Sequence, residues 1–266
     1  MYQFDYHRPA SVDEAQALYR EAEDGLYLSG GQTLIPTLKQ RLAAPSDVID
    51  LSGIDDLKGI EVTADAVRVG AFTRHSEVAG DTGNRRTLPV LAHLAGLIGD
   101  AQVRNLGTMG GSLANSDPAA DYPAAVIGLG ATLHTSTRAI EADDYFQDLF
   151  ETALEPGEIL TRIDFPVPDR AAYRKLPNPA SRYAVVGVLV AVFRGRVRVG
   201  VTGAGPCAFR ATALEDALSA DLRPETVATV DVPDAGLNSD MHASAEYRAN
   251  LVRVMTERAV ADLLAG

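Results

Sequence analysis

The chain has 266 residues, of which 46% are hydrophobic and 23% charged, which is ordinary usage for a globular protein of one large domain or two smaller ones. A formal net charge of -12 disfavours a nucleic-acid partner, because phosphate binding needs clustered Lys and Arg; it fits plain solubility or adaptation to high salt better than an acidic docking surface. With no signal-peptide start and no apolar run near the roughly 20 residues that span a bilayer, the sequence predicts a cytoplasmic protein, with the inner face of the membrane as an alternative location.

The predicted elements begin with two strand and helix units. Ser11 and Glu14 fit a capping box, and the helical spacing of apolar residues after it predicts a helix from about 12 to 23. The pair Gly30-Gly31 predicts a forced turn between a strand and a helix that carries Pro36 in its first turn. The other predicted elements here are strands at 26–28 and 48–51, a helix at 34–42, and a hairpin joining 60–62 to 67–69.

The middle of the chain is predicted to contain a long polar loop. Residues 105–121 are polar and glycine-rich, and a loop of this length without secondary structure is uncommon in a compact domain and tends to be functional. The elements predicted around it are helices at 88–98 and 123–129, strands at 132–137 and 159–165, and a short helical piece at 145–150.

Pro166-Val167-Pro168-Asp169 is the predicted domain boundary, because two prolines at the end of a strand break both helix and sheet pairing. Beyond it, β-rich runs at 183–193 and 197–201 and a closing helix at 247–264 predict a second domain with both helices and strands. The sequence is therefore divided into domains 1–168 and 170–266.

Two glycine pairs are the candidate ligand-binding motifs. They lie in Ser29-Gly30-Gly31-Gln32-Thr33 and Thr108-Met109-Gly110-Gly111-Ser112, each with flanking hydroxyl residues. Adjacent glycines let the backbone approach a ligand closely and take positive φ, so that successive amide groups can turn towards an anion such as a pyrophosphate. Neither pair belongs to a Rossmann or Walker sequence, and paired glycines also serve tight turns. Each pair alone therefore leaves ligand binding and a structural turn open.

Other catalytic and metal-binding patterns are thin. The five histidines show no metal-ligand spacing, and Gly110 to Ala114 lacks the second glycine of a serine hydrolase's nucleophile turn. Asp117 and Asp121 could pair for acid–base work, but Asp117 precedes a proline and fits a turn better. The single cysteine, Cys207, fits a packing role, because an iron–sulfur cluster needs several thiolates. The residues alone predict no catalytic side chain and no metal site.

The two glycine motifs resemble those of the FAD-binding subunits and domains of molybdenum hydroxylases. The first motif runs from Leu28 to Pro36, and the second, more diagnostic one runs from Asn105 to Asp121. The segment from Gly157 to Leu160 and the closing stretch from Ser239 to Arg248 are also similar to the family, so the resemblance covers nearly the whole chain. It implies an α+β fold: a two-subdomain FAD-binding domain of the vanillyl-alcohol-oxidase type, divided into about 1–54 and 55–168, followed by a smaller α+β domain.

The resemblance also implies which residues contact FAD. Asp121 would bind the nucleotide portion through hydrogen bonds to ribose or adenine. Leu160 would pack against the flavin, while Lys175 and Tyr183 would lie near the isoalloxazine ring, where a cation can stabilise the reduced flavin and a phenol offers a face and a donor. Gln32 and Ser112 depart from the family, which often has His and Asn there. The residues implied to wrap the FAD diphosphate are Ser29, Gly30, Gly31, Gln32, Thr33, Leu34, Thr108, Gly110, Gly111 and Ser112.

The function implied by the resemblance is electron transfer rather than substrate oxidation. A large partner chain would oxidise the substrate at a molybdenum-pterin cofactor, and 2Fe-2S centres in a small partner chain would pass the electrons to FAD held here, for delivery to an external acceptor. The implied complex is a dimer of heterotrimers, similar to carbon monoxide dehydrogenase or to xanthine and aldehyde dehydrogenases. A stand-alone FAD-dependent oxidoreductase and a flavin-free assembly subunit are the alternatives, although the chain after Pro168 is short for a substrate-binding cap.

Overall fold

The computed structural model describes residues 1–265, so the last residue of the predicted second domain, Gly266, lies outside the described residues. The strands are β1 (Asp5–His7), β2 (Gly25–Leu28), β3 (Asp47–Asp50), β4 (Ile60–Val62), β5 (Ala66–Gly70), β6 (Thr132–Thr135), β7 (Ala139–Glu141), β8 (Phe146–Asp148), β9 (Glu151–Thr152), β10 (Leu160–Pro166), β11 (Arg170–Pro177), β12 (Ala184–Phe193), β13 (Arg196–Thr202) and β14 (Phe209–Arg210). The α-helices are α1 (Val12–Glu21), α2 (Leu34–Lys39), α3 (His75–Gly80), α4 (Thr82–Thr87), α5 (Pro89–Gly96), α6 (Ala101–Leu106), α7 (Met109–Asn115), α8 (Tyr122–Leu129), α9 (Ala142–Tyr145), α10 (Thr212–Ala220), α11 (Pro224–Val227) and α12 (Ala245–Ala265).

The N-terminal lobe is a parallel sheet in the order β1-β3-β2, with α1 packed against it. The Ser11 hydroxyl accepts from the Glu14 amide at 3.2 Å and begins α1, as the sequence predicts. The Glu14 carboxylate accepts instead from the Ala10 amide at 2.7 Å, so only half of the predicted capping box forms. Phe72 and Ile159 join the apolar core of this lobe from later in the chain and tie it to the rest of the molecule.

The middle of the molecule is an antiparallel sheet in the order β4-β5-β10-β6-β7. Helix α8 is buried at all eight of its positions. A helix that is apolar all round must lie between two packed layers. One of those layers is the middle sheet, and the other is the C-terminal sheet described next.

The C-terminal sheet is antiparallel, in the order β11-β12-β13-β14. Side chains of β12 alternate between two cores: Val188 and Val190 face the core shared with α10 and α12, whereas Leu189 and Ala191 face the core shared with α8. Burial on both faces explains why β12 is a nearly continuous apolar run. The predicted boundary lies between β10 and β11. Residues before and after it share one hydrophobic core, so the division into domains 1–168 and 170–266 stays a prediction.

Two predictions of local structure are wrong. The stretch 105–121 is not a long loop, because α7 occupies its centre, and α6 ends at Leu106. The second glycine pair has a low helix propensity, so the sequence did not predict α7. The Thr108 hydroxyl nevertheless caps this helix by accepting from the Gly111 amide. The helical piece predicted at 145–150 ends at Tyr145, and Phe146 instead begins β8, which pairs with β9.

Candidate functional site

A cavity of about 610 Å³ opens between the N-terminal lobe, the middle sheet and the loop that joins β11 to β12. It is lined by residues drawn from the stretches 26–34, 71–75, 98–121, 154–160 and 181–183. Sites for organic cofactors usually measure roughly 300–1,000 Å³. Every site residue named from the sequence lines this cavity, with the exception of Lys175. The structure therefore brings together segments that are up to about 150 residues apart in the chain.

The first glycine pair forms an open backbone turn between β2 and α2. Gly31 has a φ of +70°, a backbone conformation that disfavours any side chain, whereas the atom nearest to a Cβ there would be Ile35 Cδ1 at 2.6 Å, the end of a flexible side chain that can move aside. Within residues 1–265, the amide groups of residues 30–34 donate no hydrogen bond. Consecutive unbonded amides at a turn of this kind suit an anion. This part of the cavity therefore fits the diphosphate of a dinucleotide cofactor.

The second glycine pair is used differently, since its amides are already hydrogen-bonded. The Gly110 amide donates to the Ala71 carbonyl oxygen at 2.8 Å, and the Gly111 amide donates to the Thr108 hydroxyl at 3.1 Å. A Cβ at Gly110 would lie 2.5 Å from Ala71 Cβ, so this glycine lets α7 pack against the end of β5. The pair builds a close-packed wall of the cavity instead of a second open cradle.

The two glycine motifs are joined directly to each other. The hydroxyl groups of Ser29 and Thr108 are 2.7 Å apart. A Cβ at Gly30 would lie 2.7 Å from Gly107 Cα and would collide with the Leu106 carbonyl oxygen. Only glycine permits this approach of the two backbones. The relative position of the two motifs is thus fixed by the chain itself, so the cradle is formed before any ligand arrives.

Asp121 and Lys175 form a buried ion pair behind the cavity wall. Asp121 lines the cavity with its side chain only 4% exposed, and its carboxylate accepts from Tyr173 Oη at 2.6 Å and from Lys175 Nζ. Burial raises the pKa of the Asp121 carboxyl, while the Lys175 ammonium and the Tyr173 hydroxyl oppose that rise. Oδ1 has both Tyr173 Oη and Lys175 Nζ within hydrogen-bond distance, whereas Oδ2 has only Lys175 and keeps a second lone pair for a ligand hydroxyl.

Lys175 is committed to protein groups and differs here from the expected flavin contact. Its Nζ donates to the Leu97 carbonyl oxygen at 3.1 Å, to the Arg182 carbonyl oxygen at 2.8 Å, and to Asp121. An ammonium has three protons, and these partners use all of them. Lys175 therefore acts on the cavity through Asp121 and through the loop that contains Arg182.

Tyr183 and Leu160 both line the cavity wall. Tyr183 ends the loop between β11 and β12, and this loop is shaped by the Asn178 side-chain oxygen, which accepts from the Ala180 amide at 2.9 Å. The Tyr183 side chain is still 44% exposed, and partial burial raises the pKa of its phenol. A half-exposed aromatic at a cavity mouth can cover a planar ring.

Glu158 closes the cavity on the side of the N-terminal lobe. Its carboxylate accepts from Thr135, Thr137, Arg138 and the Glu155 amide, and its side chain is 3% exposed. Burial alone would raise its pKa, but these hydrogen bonds outweigh burial and lower the pKa of Glu158 to about 2. Because the folded pKa lies below the unfolded value, the ionised carboxylate stabilises the fold above about pH 4.5, and this contribution is lost as the pH falls towards 2.

Replacement of Glu158 with Gln is expected to lower the free energy of unfolding at pH 7 by about 2–3 kcal/mol, and by much less at pH 3. Glu155→Gln is the matched control. Glu155 also faces Arg138, but at 3.9 Å and with a side chain that is 77% exposed, so its loss should change the free energy of unfolding little. The measurement is denaturant unfolding of both variants and the unchanged chain at the two pH values. An equal loss at pH 7 and pH 3 would contradict the assignment.

The sequence did not identify several of the residues that line the cavity. Asn115 and Asp117 belong to the quoted family segment, and burial raises the pKa of Asp117, but from the sequence Asp117 fitted a turn better than a site residue. His75 lies at the start of α3 with 4% exposure, and burial, helped by Arg104, lowers its pKa to about 4. Phe72 and Arg182 are two further wall residues that the sequence did not identify.

No group of three or more His, Cys, Asp or Glu side chains within residues 1–265 could hold a metal ion. None of the helices in the described part of the chain is both long and apolar enough to cross a bilayer.

A turn of unbonded amides and a buried carboxylate, both on the wall of one cavity of cofactor size, are features of a protein that binds a dinucleotide cofactor. Residues 2–168 match the family described as the FAD binding domain in molybdopterin dehydrogenase. The chain is 35% identical to the carbon monoxide dehydrogenase medium chain of Afipia carboxidovorans, over 97% of this chain and 95% of the relative. It is 31% identical to the glyceraldehyde dehydrogenase medium chain of Sulfolobus acidocaldarius, over 98% of each. The fold matches a chain of quinoline 2-oxidoreductase from Pseudomonas putida 86 with a TM-score of 0.90 and 30% identity, covering 99% of this chain and 98% of that one.

The chain belongs to the family of FAD-binding subunits of molybdenum hydroxylases. These matches confirm the predicted α+β fold with a two-subdomain FAD-binding domain, the oxidoreductase class and FAD as the cofactor of this chain. They also confirm the predicted function as the FAD-carrying subunit of a heteromeric molybdenum hydroxylase.

Proposed function

We propose that this chain holds FAD in the cavity between the N-terminal lobe and the middle sheet. The observation that carries the proposal is the row of unbonded amides at residues 30–34, which faces a cavity of cofactor size. When bound, FAD supplies redox chemistry that none of the side chains on the cavity wall can perform. These five amides are free to donate to an anion, because no group of residues 1–265 accepts from them.

The proposed roles of the wall residues follow from their contacts. The amides of residues 30–34 and the Ser112 hydroxyl would bind the diphosphate, and the remaining lone pair of Asp121 Oδ2 would accept from a hydroxyl group of the ribose. Leu160 and Tyr183 would orient the flavin ring and exclude water from one part of it. Lys175 would hold Asp121 ionised and keep the Tyr183 loop in place.

The proposed partners are a large subunit with the molybdenum-pterin cofactor and a small subunit with 2Fe-2S centres. The single cysteine of this chain supports a division of this kind, since an iron–sulfur cluster requires several thiolates. We propose that one copy each of this chain, the large subunit and the small subunit forms a heterotrimer, and that two heterotrimers form the complete complex. The proposed location is the cytoplasm, with attachment to the inner face of the membrane as its alternative.

The substrate is proposed to be chosen by the large subunit. Relatives of this chain that are about 30–35% identical carry names that refer to carbon monoxide and glyceraldehyde. Similar medium chains thus serve different substrates, and the complex could resemble carbon monoxide dehydrogenase or the xanthine and aldehyde dehydrogenases. The features of the cavity described above do not determine the external electron acceptor either.

The test is purification of the complex through a tag on this chain, followed by denaturation and measurement of released flavin. We expect about one FAD for each copy of this chain, together with two copurifying subunits that contain molybdenum and iron. FAD without copurifying subunits would favour a stand-alone flavoenzyme. A complex that contains molybdenum and iron but no flavin would contradict the proposal for this chain.

A further inference from the structure

His75 lines the cavity but has no part in the FAD contacts proposed above. It is the first residue of α3, and its backbone amide donates to the Gly107 carbonyl oxygen at 3.0 Å. Its ring packs against Tyr122 with 5.3 Å between ring centroids and is part of the cavity wall. The residue is 4% exposed, which makes it a buried polar group that needs a hydrogen-bond partner.

The two ring nitrogens of His75 lie in different surroundings. Nδ1 is sealed from solvent and has no hydrogen-bond partner among residues 1–265. Since Nδ1 is sealed and the ring lines the cavity, Nε2 is the nitrogen on the cavity side; it lies beside Gly107, where a Cβ would come within 2.6 Å of it. Because burial lowers the pKa of His75 to about 4, the ring is neutral and carries one proton.

The proton belongs on Nε2. A buried N–H without an acceptor is rarer in proteins than an acceptor without a donor, so the sealed Nδ1 is the unprotonated nitrogen. Nε2 then presents an N–H to the cavity, and no carbonyl or carboxylate in the described chain accepts from it. The cavity therefore contains a fixed N–H donor that has no acceptor in residues 1–265 and is open to a ligand.

This donor lies at the same end of the cavity as the unbonded amides. Gly107 separates the two: a Cβ at Gly30 would lie 2.7 Å from Gly107 Cα, and a Cβ at Gly107 would lie 2.6 Å from His75 Nε2. The open turn of the first glycine motif and the imidazole thus pack against the same residue. Only Gly107 stands between them, and both line the same cavity.

We propose that His75 donates a hydrogen bond from Nε2 to a diphosphate oxygen of FAD and so completes the cradle formed by residues 30–34. The proposal rests on the proposed placement of FAD in this cavity. It makes His75 a cofactor-binding residue, and it explains why Gly107 has no side chain, because any Cβ there would push the imidazole away from the diphosphate.

The test compares three variants of the complete complex after removal of FAD, with FAD affinity measured by recovery of flavin absorbance. His75→Leu removes the donor, and His75→Asn puts its amide nitrogen near the position of Nδ1. Both are expected to weaken FAD binding by about tenfold to a hundredfold, the loss typical of a hydrogen bond to a charged group. His75→Gln puts its amide nitrogen near the position of Nε2 and is expected to stay within about threefold of the unchanged complex.

The visible spectrum and the reduction potential of bound flavin are expected to be the same in all variants, because the contact is made with the diphosphate. A changed potential with unchanged affinity would overturn the proposal in favour of a contact with the flavin ring. Equal affinity in the Leu and Gln variants would overturn it as well. Thermal unfolding of the FAD-free variants identifies any loss caused by misfolding. If the unchanged complex bound no FAD, the proposed function would fail, and not the role of His75 alone.

Discussion

Replacement of Gly30 with Val is expected to abolish FAD binding, with a loss of affinity of at least about 100-fold. The added side chain would collide with the Leu106 carbonyl oxygen and lie 2.7 Å from Gly107 Cα, both of which are backbone atoms. Backbone cannot turn aside as the end of a flexible side chain can, so the open turn must move away from α6 and the start of α7. The amides of residues 30–34 would then point elsewhere, and the measurement is flavin content after denaturation of the purified variant.

Gly96→Ala is the matched control for this prediction. Gly96 lies in α5, and a Cβ added there meets no atom within 4 Å. Alanine is the better helix former, so this variant is expected to bind FAD normally and to be up to about 1 kcal/mol more stable. Normal flavin content in Gly30→Val, with both variants folded by circular dichroism, would refute the assignment of the turn as the diphosphate site.

The first glycine motif could be predicted from the sequence because all its signals are local. A short apolar strand, two glycines and a helix with proline in its first turn follow one another within about a dozen residues. Each of these signals depends only on φ preference and side-chain spacing. The structure keeps all three, and only the end of the helix differs, at Lys39 instead of Leu42.

The second motif could not be predicted in the same way, because long-range packing decides its structure. Gly110 and Gly111 argue against a helix by propensity, yet the Gly110 amide bonds to Ala71, which is 39 residues earlier in the chain. Packing against the end of β5 and capping by Thr108 outweigh propensity. The same amides are therefore not free to bind a ligand, a distinction that the pattern of glycines and hydroxyl residues does not contain.

The cavity residues missed from the sequence have a related explanation. His75 gives no sign of its role in the sequence, because its neighbours Gly107 and Tyr122 are brought to it by the turn after β5 and by the packing of α8. The partners of Lys175 come from three separate stretches of the chain. Resemblance to a family could place Lys175 near the cavity. Only the structure shows that its three ammonium protons already donate to protein groups.

Replacement of Lys175 with Met is expected to destabilise the fold by about 3–5 kcal/mol, because it leaves the buried Asp121 carboxylate without its cation. The double variant Lys175→Met with Asp121→Asn contains no buried charge at this position and is expected to recover much of that loss. Lys58→Met is the control, since Lys58 pairs with the 92% exposed Asp55 and its loss should cost less than about 1 kcal/mol. The measurement is denaturant unfolding of the four chains under one condition.

The same variants separate the two effects of Lys175 on the cavity. The Asp121→Asn substitution in the double variant would relieve the unpaired charge, but it would not restore the hydrogen bond to the Arg182 carbonyl oxygen that holds the loop before Tyr183. We therefore expect faster amide exchange across residues 178–183 in both the single and the double variant. Stability and loop order should thus respond differently to the second substitution. A double variant as unstable as the single one would show that the ion pair is not what Lys175 contributes, and an unchanged loop would remove its proposed action through Tyr183.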